Sequence, residues 1–321
     1  MDIVELFRNH FDGRYSNNHD FTLIEYSSNI LIGLDSFGCV CVVVKSSGPY
    51  RFPIRHRTQK MSIECNMKVR YELDGRMYDD IVHIIRCLSE LPREKDLFLE
   101  LATVLIQESD ESEEAIMETF NTLRAFFNDK QELSDNELIG LYAELYTIYS
   151  FHDSLEIEKF WQSKDRMKFD FSISEKVKLE VKATVKNTRT HHFRHEQLMT
   201  EVYDIFVLSY LLRYDDEGLS LFDLLMICKK YLSKDARKLL RINCVLKNVE
   251  EDRLKCMRFN RTYTEANRHI YRAEDIPKFN QNTPRGVANA EYDCVLDNVK
   301  FIEDTLFIDV ARSSSVEVQN V

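Results

Sequence analysis

KFDFSISEKVKLEVKAT, Lys168–Thr184, is the stretch on which the reading of the chain turns. Lys168–Ser174 and Val177–Ala183 both show β-like alternation, and the polar pair Glu175–Lys176 between them predicts a hairpin. Residues two apart share a face of a strand, so Glu180 and Lys182 point the same way and Val181 the other. Phe169, Phe171 and Ile173 alternate with Asp170, Ser172 and Ser174. Asp170 is therefore expected on the face of Glu180 and Lys182, away from the turn, giving two carboxylates and one ammonium in one place.

Such a set suits metal-assisted phosphodiester hydrolysis. Mg²⁺ takes oxygen ligands from one or two carboxylates plus waters and phosphate, and a bound metal polarises the phosphoryl group and acidifies a water. A neighbouring lysine offsets charge that develops on the phosphate. A lone Glu-x-Lys on a strand is more often a solvated surface pair, so the flanks must decide.

Upstream, ELIGLYAEL (Glu137–Leu145) is helical in pattern, with Ser134 as N-cap and Glu137 as its capping-box partner. Glu144 falls one turn after Gly140 on the same helix face; a glycine there predicts a close approach of helix to sheet. Downstream, HHFRHEQL (His191–Leu198) places Gln197 at the expected start of another helix. The order is helix with Gly-x-x-x-Glu, strand with Asp, strand with Glu-x-Lys, helix with Gln.

This series resembles the PD-(D/E)XK (restriction-endonuclease-like) nuclease superfamily, in the branch with an extra Gln on the second core helix. LEVK (Leu179–Lys182) followed by H-x-F-x-x-x-Q-L looks like a bacterial PD-(D/E)XK family tied to restriction and phage-defence loci. The resemblance carried by motifs runs from Ser134 to Leu198, with looser likeness in the flanks. Phe169 stands where the motif has Pro, and Glu201 replaces the tyrosine expected four residues after the Gln, with Tyr203 nearby. The resemblance implies metal ligation by Asp170, Glu180 and the Val181 carbonyl, with Glu144 holding a second metal or an ordered water. It implies that Lys182 activates water and that Gln197 orients that water or the phosphate.

A net charge of −11 argues against a general nucleic-acid coat, but the field that matters is local. Lys176, Lys178, Lys182, Lys186, Arg189 and Arg194 crowd a segment whose only carboxylate is Glu180. Lys186, Arg189, His191, His192 and Arg194 are accordingly expected to contact DNA. His191, His192 and His195 have no cysteine or fourth ligand at zinc-site spacing. A second basic group, Arg51, Arg55, His56, Arg57 and Lys60, reads as an exposed loop, with phosphate contact as the other reading.

The 321 residues suit about two domains. Punctuation by Ser-Ser-Asn, Ser-Ser-Gly-Pro and Asp-Gly predicts a β meander over 20–78. Ile81, Ile84, Ile85 and Leu88 recur at helical spacing, as do Leu97, Leu101 and Val104, then Ile116, Phe120, Leu123 and Phe127. Val202–Leu212 reads as a strand, Leu221–Cys228 and Asp235–Leu240 as helices, and Arg258–Tyr271 and Tyr292–Ile308 as further strands. Glu274–Phe279 reads as a short helix or turn leading into Asn280–Arg285. The expected fold is α/β (α+β): a restriction-endonuclease-like mixed sheet flanked by helices, plus an N-terminal β-rich domain. Expected boundaries are 1–78 (β-rich), 79–133 (helical connector), 134–250 (nuclease core), 251–311 (β-rich extension) and 312–321 (frayed tail).

The start MDIVELFRNHF lacks the basic head and apolar middle of a secretory signal, and the longest apolar run, Cys39–Val44, is too short to span a bilayer. Eight cysteines without a Cys-x-x-Cys pair read as reduced thiols of a cytoplasmic protein. The expected activity is a Mg²⁺-dependent DNA endonuclease, a hydrolase with Mn²⁺ able to substitute, acting in restriction or phage defence as a homodimer or with partner subunits. The alternative is an inactive nucleic-acid-binding or scaffolding subunit of a defence complex.

Overall fold

The computed structural model describes residues 3–11, 21–46, 48, 51–73, 75–128, 132–162, 168–199, 201–279 and 290–318. They form a mixed α+β chain divided into two compact units, Met1–Lys130 with Lys234–Asn243, and Gln131–Ser233 with Cys244–Val321.

The first unit contains α1 (Ile3–Phe11), β1 (Phe21–Glu25), β2 (Ile30–Asp35), β3 (Val40–Lys45), β4 (Ile54–Arg57), β5 (Met61–Leu73), β6 (Arg76–Cys87), α2 (Pro92–Gln107) and α3 (Glu113–Asn128). Its sheet runs β1-β2-β3-β6-β5-β4, and a parallel pairing of Thr22 with Glu72 closes β1 onto β5. Leu23, Leu31, Val43, Tyr71 and Ile84 pack within that ring. Gly33 is required where β2 crosses β1, since a Cβ there would meet the Thr22 carbonyl oxygen at 2.0 Å.

Residues 81–88, expected to be helical, instead form most of β6 and its end. Val82, Ile84 and Ile85 are all buried, because the ring covers one face while α2 and α3 pack on the strand as well. A strand buried on both faces loses its alternation, and its apolar run imitates helical spacing.

The second unit contains α4 (Asp135–Leu155), β7 (Phe171–Ser172), β8 (Val177–Thr184), β9 (Thr190–Arg194), β10 (Asp204–Leu211), β11 (Tyr214–Ser220), α5 (Leu221–Tyr231), the end of α6 (Ala236–Asn248), α7 (Glu251–Cys256), β12 (Arg258–Phe259), α8 (Arg261–Ala266), β13 (Arg268–Arg272), β14 (Glu291–Val295) and α9 (Asp304–Val318). Its central sheet is ordered β13-β10-β8-β7. β8 and β10 run parallel, while β7 and β13 are antiparallel to their neighbours. On one face Tyr146 of α4 meets Tyr210, and Phe307 of α9 lies against Phe151 and Phe206. On the other, Ile205 and Val207 join Phe169, Phe193, Leu198 and Leu296, beneath the β9–β14 ribbon.

Several expected strands are shorter or helical. Arg258–Tyr271 divides into β12, α8 and part of β13, because Asn260 caps a helix by accepting from the Tyr263 N–H. The second strand expected in Tyr292–Ile308 is the start of α9. That helix runs on through Arg312–Val318, which was expected to fray, because Phe307 and Ala311 share a buried face. Glu274–Phe279 forms turns rather than a helix, while Asn280–Arg285 and residues 319–321 lie outside the described residues. Among the described residues no helix is long and apolar enough to cross a membrane.

Candidate active site

α4 begins as its sequence indicates. Ser134 Oγ accepts from the Glu137 N–H, and Glu137 Oε2 accepts from the Ser134 N–H at 2.8 Å. The helix carries Glu144, half-buried, whose Oε2 accepts from Trp161 Nε1 at 2.6 Å. Trp161 is itself buried and bridges Phe171. Gly140 does not mark a close approach: a Cβ built there meets nothing within 4 Å.

The first strand of the expected hairpin is reduced to Phe171–Ser172, for a local reason. β7 stops where Phe171 faces Leu179. The Val181 N–H beyond it donates to Asp170 Oδ2 at 2.7 Å, so a side chain takes over from the backbone ladder. Asp170 is thus fixed beside β8 without lying in a strand.

Glu180 is only 4 % exposed. Its Oε1 lies 2.8 Å from Lys182 Nζ and 2.6 Å from Gln197 Nε2, while Oε2 is buried without a hydrogen-bond partner. Lys182 is half-buried, with Nζ 5.1 Å from the centre of the Phe193 ring. Gln197 ends a single 3-10 turn, His195–Gln197, rather than starting a helix. Its Oε1 accepts from the Arg194 N–H at 3.0 Å, so the side chain is held at both ends.

Burial raises the Asp170 carboxyl well above the usual range, and the charges of Glu180 and Glu144 push it further. The Val181 N–H and Lys182 oppose this incompletely. Burial also raises Glu180, against the attraction of Lys182 and the Gln197 hydrogen bond. Two carboxyls that each resist ionisation lie together, next to an ammonium. Deprotonating both calls for added positive charge.

The residues expected on DNA divide. Arg189 is buried, donating to Ser209 O at 3.0 Å, to Ser209 Oγ at 2.9 Å and to the Asn267 carbonyl. His191 is buried too, with Nε2 2.7 Å from Ser209 Oγ, and burial lowers its pKa to about 4. Both pin β9 to the sheet and neither reaches the surface. Lys178 is likewise turned inward onto Ser172 Oγ and the Ser174 carbonyl. Lys186, His192 and Arg194 are exposed. His192, however, faces Glu291 and Asp293, and Arg194 faces Glu291, so this part of the ribbon is mixed in charge rather than basic.

Sequence reasoning missed Trp161 and Ser209. Trp161 is the chain's single tryptophan. Ser209 is a lone polar residue inside the apolar run VLSYLL, a pattern that could have marked a buried hydrogen-bond hub.

A family profile described as "Putative PD-(D/E)XK family member, (DUF4420)" matches residues 18–297. The chain belongs to that family. No curated protein and no solved structure matches it. The PD-(D/E)XK match extends well beyond Ser134–Leu198 and takes in most of the β-rich start. Phe169, at the motif's proline position, is buried and meets the Tyr203 ring edge-on at 5.7 Å.

PD-(D/E)XK nucleases generally use divalent metals. Among the described residues, no three His, Cys, Asp or Glu side chains are grouped to hold an ion by themselves. The donors present are nonetheless hard oxygens. The unpartnered Glu180 Oε2 and the raised Asp170 carboxyl both fit a divalent cation whose remaining positions go to waters, main-chain oxygen and phosphate.

Proposed function

We propose that the chain is a divalent-metal-dependent DNA endonuclease that uses Mg²⁺, or Mn²⁺ in its place. The buried Asp170–Glu180 pair carries this reading: an unpartnered carboxylate oxygen and a second reluctant carboxyl, with Lys182 at 2.8 Å from Glu180. Asp170, Glu180 and the Val181 carbonyl are the residues to hold the metal, with Glu144 behind them. When bound, the ion would polarise a phosphoryl oxygen and lower the proton affinity of a water.

The chain's own groups do the rest. Lys182 positions the attacking water and offsets charge on the phosphate. Gln197, bonded to Glu180, keeps that carboxylate from rotating away. Lys186 and the partly neutralised His192 and Arg194 supply weak phosphate contacts. A two-fold dimer, or a partner subunit, would bring a second site to the other strand. Eight unpaired cysteines fit a reducing, cytoplasmic setting; the place we propose for the chain in restriction or phage defence rests on the family resemblance alone.

The test is incubation of plasmid, linear duplex and single-stranded DNA with the protein and Mg²⁺ or Mn²⁺. Wild type should cut at least one of them, and Asp170→Asn should cut none. Binding without cleavage by both proteins would make this an inactive binding subunit.

A further inference from the structure

Glu144 and Asp170 are joined through one short segment. α4 ends at Leu155, Glu156 takes a left-handed conformation at φ 47°, and the 3-10 turn Ile157–Phe160 leads into Trp161. Trp161 pairs with Phe171 in an isolated antiparallel bridge, and the next residue, Gln162, donates its N–H to the Asp170 carbonyl at 2.8 Å. Trp161 is also 2 % exposed, with its indole N–H donating to Glu144 Oε2 at 2.6 Å. Two consecutive residues thus hold the backbone of one acidic residue and the side chain of the other.

An indole N–H is a donor only, and a buried one needs an acceptor. A neutral acceptor would satisfy it. An anion makes a shorter and stronger bond, but it also adds charge where charge is unwelcome. Beyond the burial that raises both Asp170 and Glu180, the charge of Glu144 raises each further. Carboxylates gathered without a cation are costly, so packing alone does not account for Glu144. Among the described residues, however, no three such side chains are grouped to hold an ion directly. Glu144 is near enough to act through its charge and too far to complete a ligand set. With Oε2 committed to the indole, it offers at most one oxygen to anything else.

We propose that Trp161 is a positioning residue that holds Glu144 as the acceptor for a water of the metal site, not as a ligand to the ion. The inference rests on Asp170 and Glu180 as the metal ligands, and it decides between the two roles open to Glu144. Waters fill the positions of Mg²⁺ that carboxylates leave, and a fixed carboxylate orients such a water. Without the indole N–H the long Glu144 side chain can change rotamer, and the water loses its anchor.

The test is a double-mutant cycle on the Mn²⁺ affinity of the full chain, read without DNA from the electron paramagnetic resonance of free Mn²⁺. Glu144→Ala should weaken binding by about 10–100-fold, and Trp161→Phe, which keeps a ring and loses the N–H, by about tenfold. In the Glu144→Ala background Trp161→Phe should weaken it no further, because the indole then has nothing to position. Unchanged affinity in either single variant, or an equal loss from Trp161→Phe in both backgrounds, overturns the proposal; the equal loss is what a packing role alone would give. Should Trp161→Phe fail to fold, the protein is grown on benzothienylalanine, the same bicycle with sulfur for N–H. That analogue enters only here, at the chain's single tryptophan, and takes the place of Trp161→Phe in the cycle. Asp170→Asn separates the two readings. Mn²⁺ binding lost in Asp170→Asn but untouched by Trp161→Phe spares the metal site and sinks the role of Trp161. Binding that survives Asp170→Asn, or is missing from wild type, sinks both.

Discussion

Gln197 Nε2 lies 2.6 Å from Glu180 Oε1, so the glutamine expected to orient water or phosphate is bonded to the carboxylate proposed to hold the metal. Outer partners of metal ligands typically contribute 10–100-fold to metal affinity. Gln197→Ala should weaken Mn²⁺ binding by about that factor in calorimetric titration, with little change in Tm without metal. Unaltered Mn²⁺ affinity would return Gln197 to a role on substrate alone.

The raised Asp170 carboxyl has a definite consequence for stability. Between the unfolded carboxyl value of about 4 and the higher folded value, the native state binds more protons than the unfolded chain. The metal-free protein should therefore lose stability as pH rises through that window, and change little above it. Asp170→Asn should melt higher than wild type at neutral pH in EDTA, with the advantage closing toward about pH 4. Mn²⁺ should raise the wild-type Tm, by about 2.7 kcal/mol of stability at a hundred times its Kd, and leave Asp170→Asn, Glu180→Gln unmoved. A wild type whose metal-free stability climbs with pH across the window would contradict the buried pair.

Arg189 holds Ser209 and Asn267 rather than DNA. Arg189→Met removes the buried donors to the Ser209 carbonyl and hydroxyl and leaves the Asn267 carbonyl only the Leu211 N–H at 3.4 Å, at a cost of about 1–3 kcal/mol, visible in thermal or urea melts. Lys186→Ala, at an exposed position, should leave the melt alone and reduce the slope of log Kd against log salt for duplex DNA by roughly 0.9, one phosphate contact. A stable Arg189→Met with weakened DNA binding would reverse the assignment.

Gly140 and Gly33 should respond oppositely to alanine. Open space around Gly140 lets Gly140→Ala gain about 1 kcal/mol of helix propensity. The Thr22 carbonyl against Gly33 leaves no room, so Gly33→Ala should cost about 1–3 kcal/mol or more. Denaturant midpoints of the two variants should shift in opposite directions.

The contrast between these glycines shows what could be read from sequence. Ser134 and Glu137 were legible because a capping box is local, four residues that solve one another's hydrogen bonds. Glu180 and Lys182 were legible because strand periodicity fixes their common face. The truncation of β7 was not, since it depends on Asp170 capturing the Val181 N–H across the sheet. Arg189 and His191 looked like DNA contacts because charge in a sequence is counted without direction. Only β9 packed against Ser209 turns them inward. β6 was misread for a related reason: burial on two faces removes the alternation that identifies a strand.

Cleavage by wild type against Lys182→Ala separates a working nuclease from an inert DNA-binding fold. Lys182 Nζ touches Glu180 and the face of Phe193, so its removal should lower stability by leaving buried Glu180 without its ammonium, and the two proteins are compared at a temperature where both are folded, with DNA affinity nearly unchanged. Single-turnover cleavage with Mn²⁺ should fall by about 10²–10⁴-fold. Lys182→Arg should not restore it, because a guanidinium is larger and keeps its proton. Lys182→Ala cutting as fast as wild type would mean that the ammonium takes no part in hydrolysis and that the Asp170–Glu180 pair is not the nuclease site.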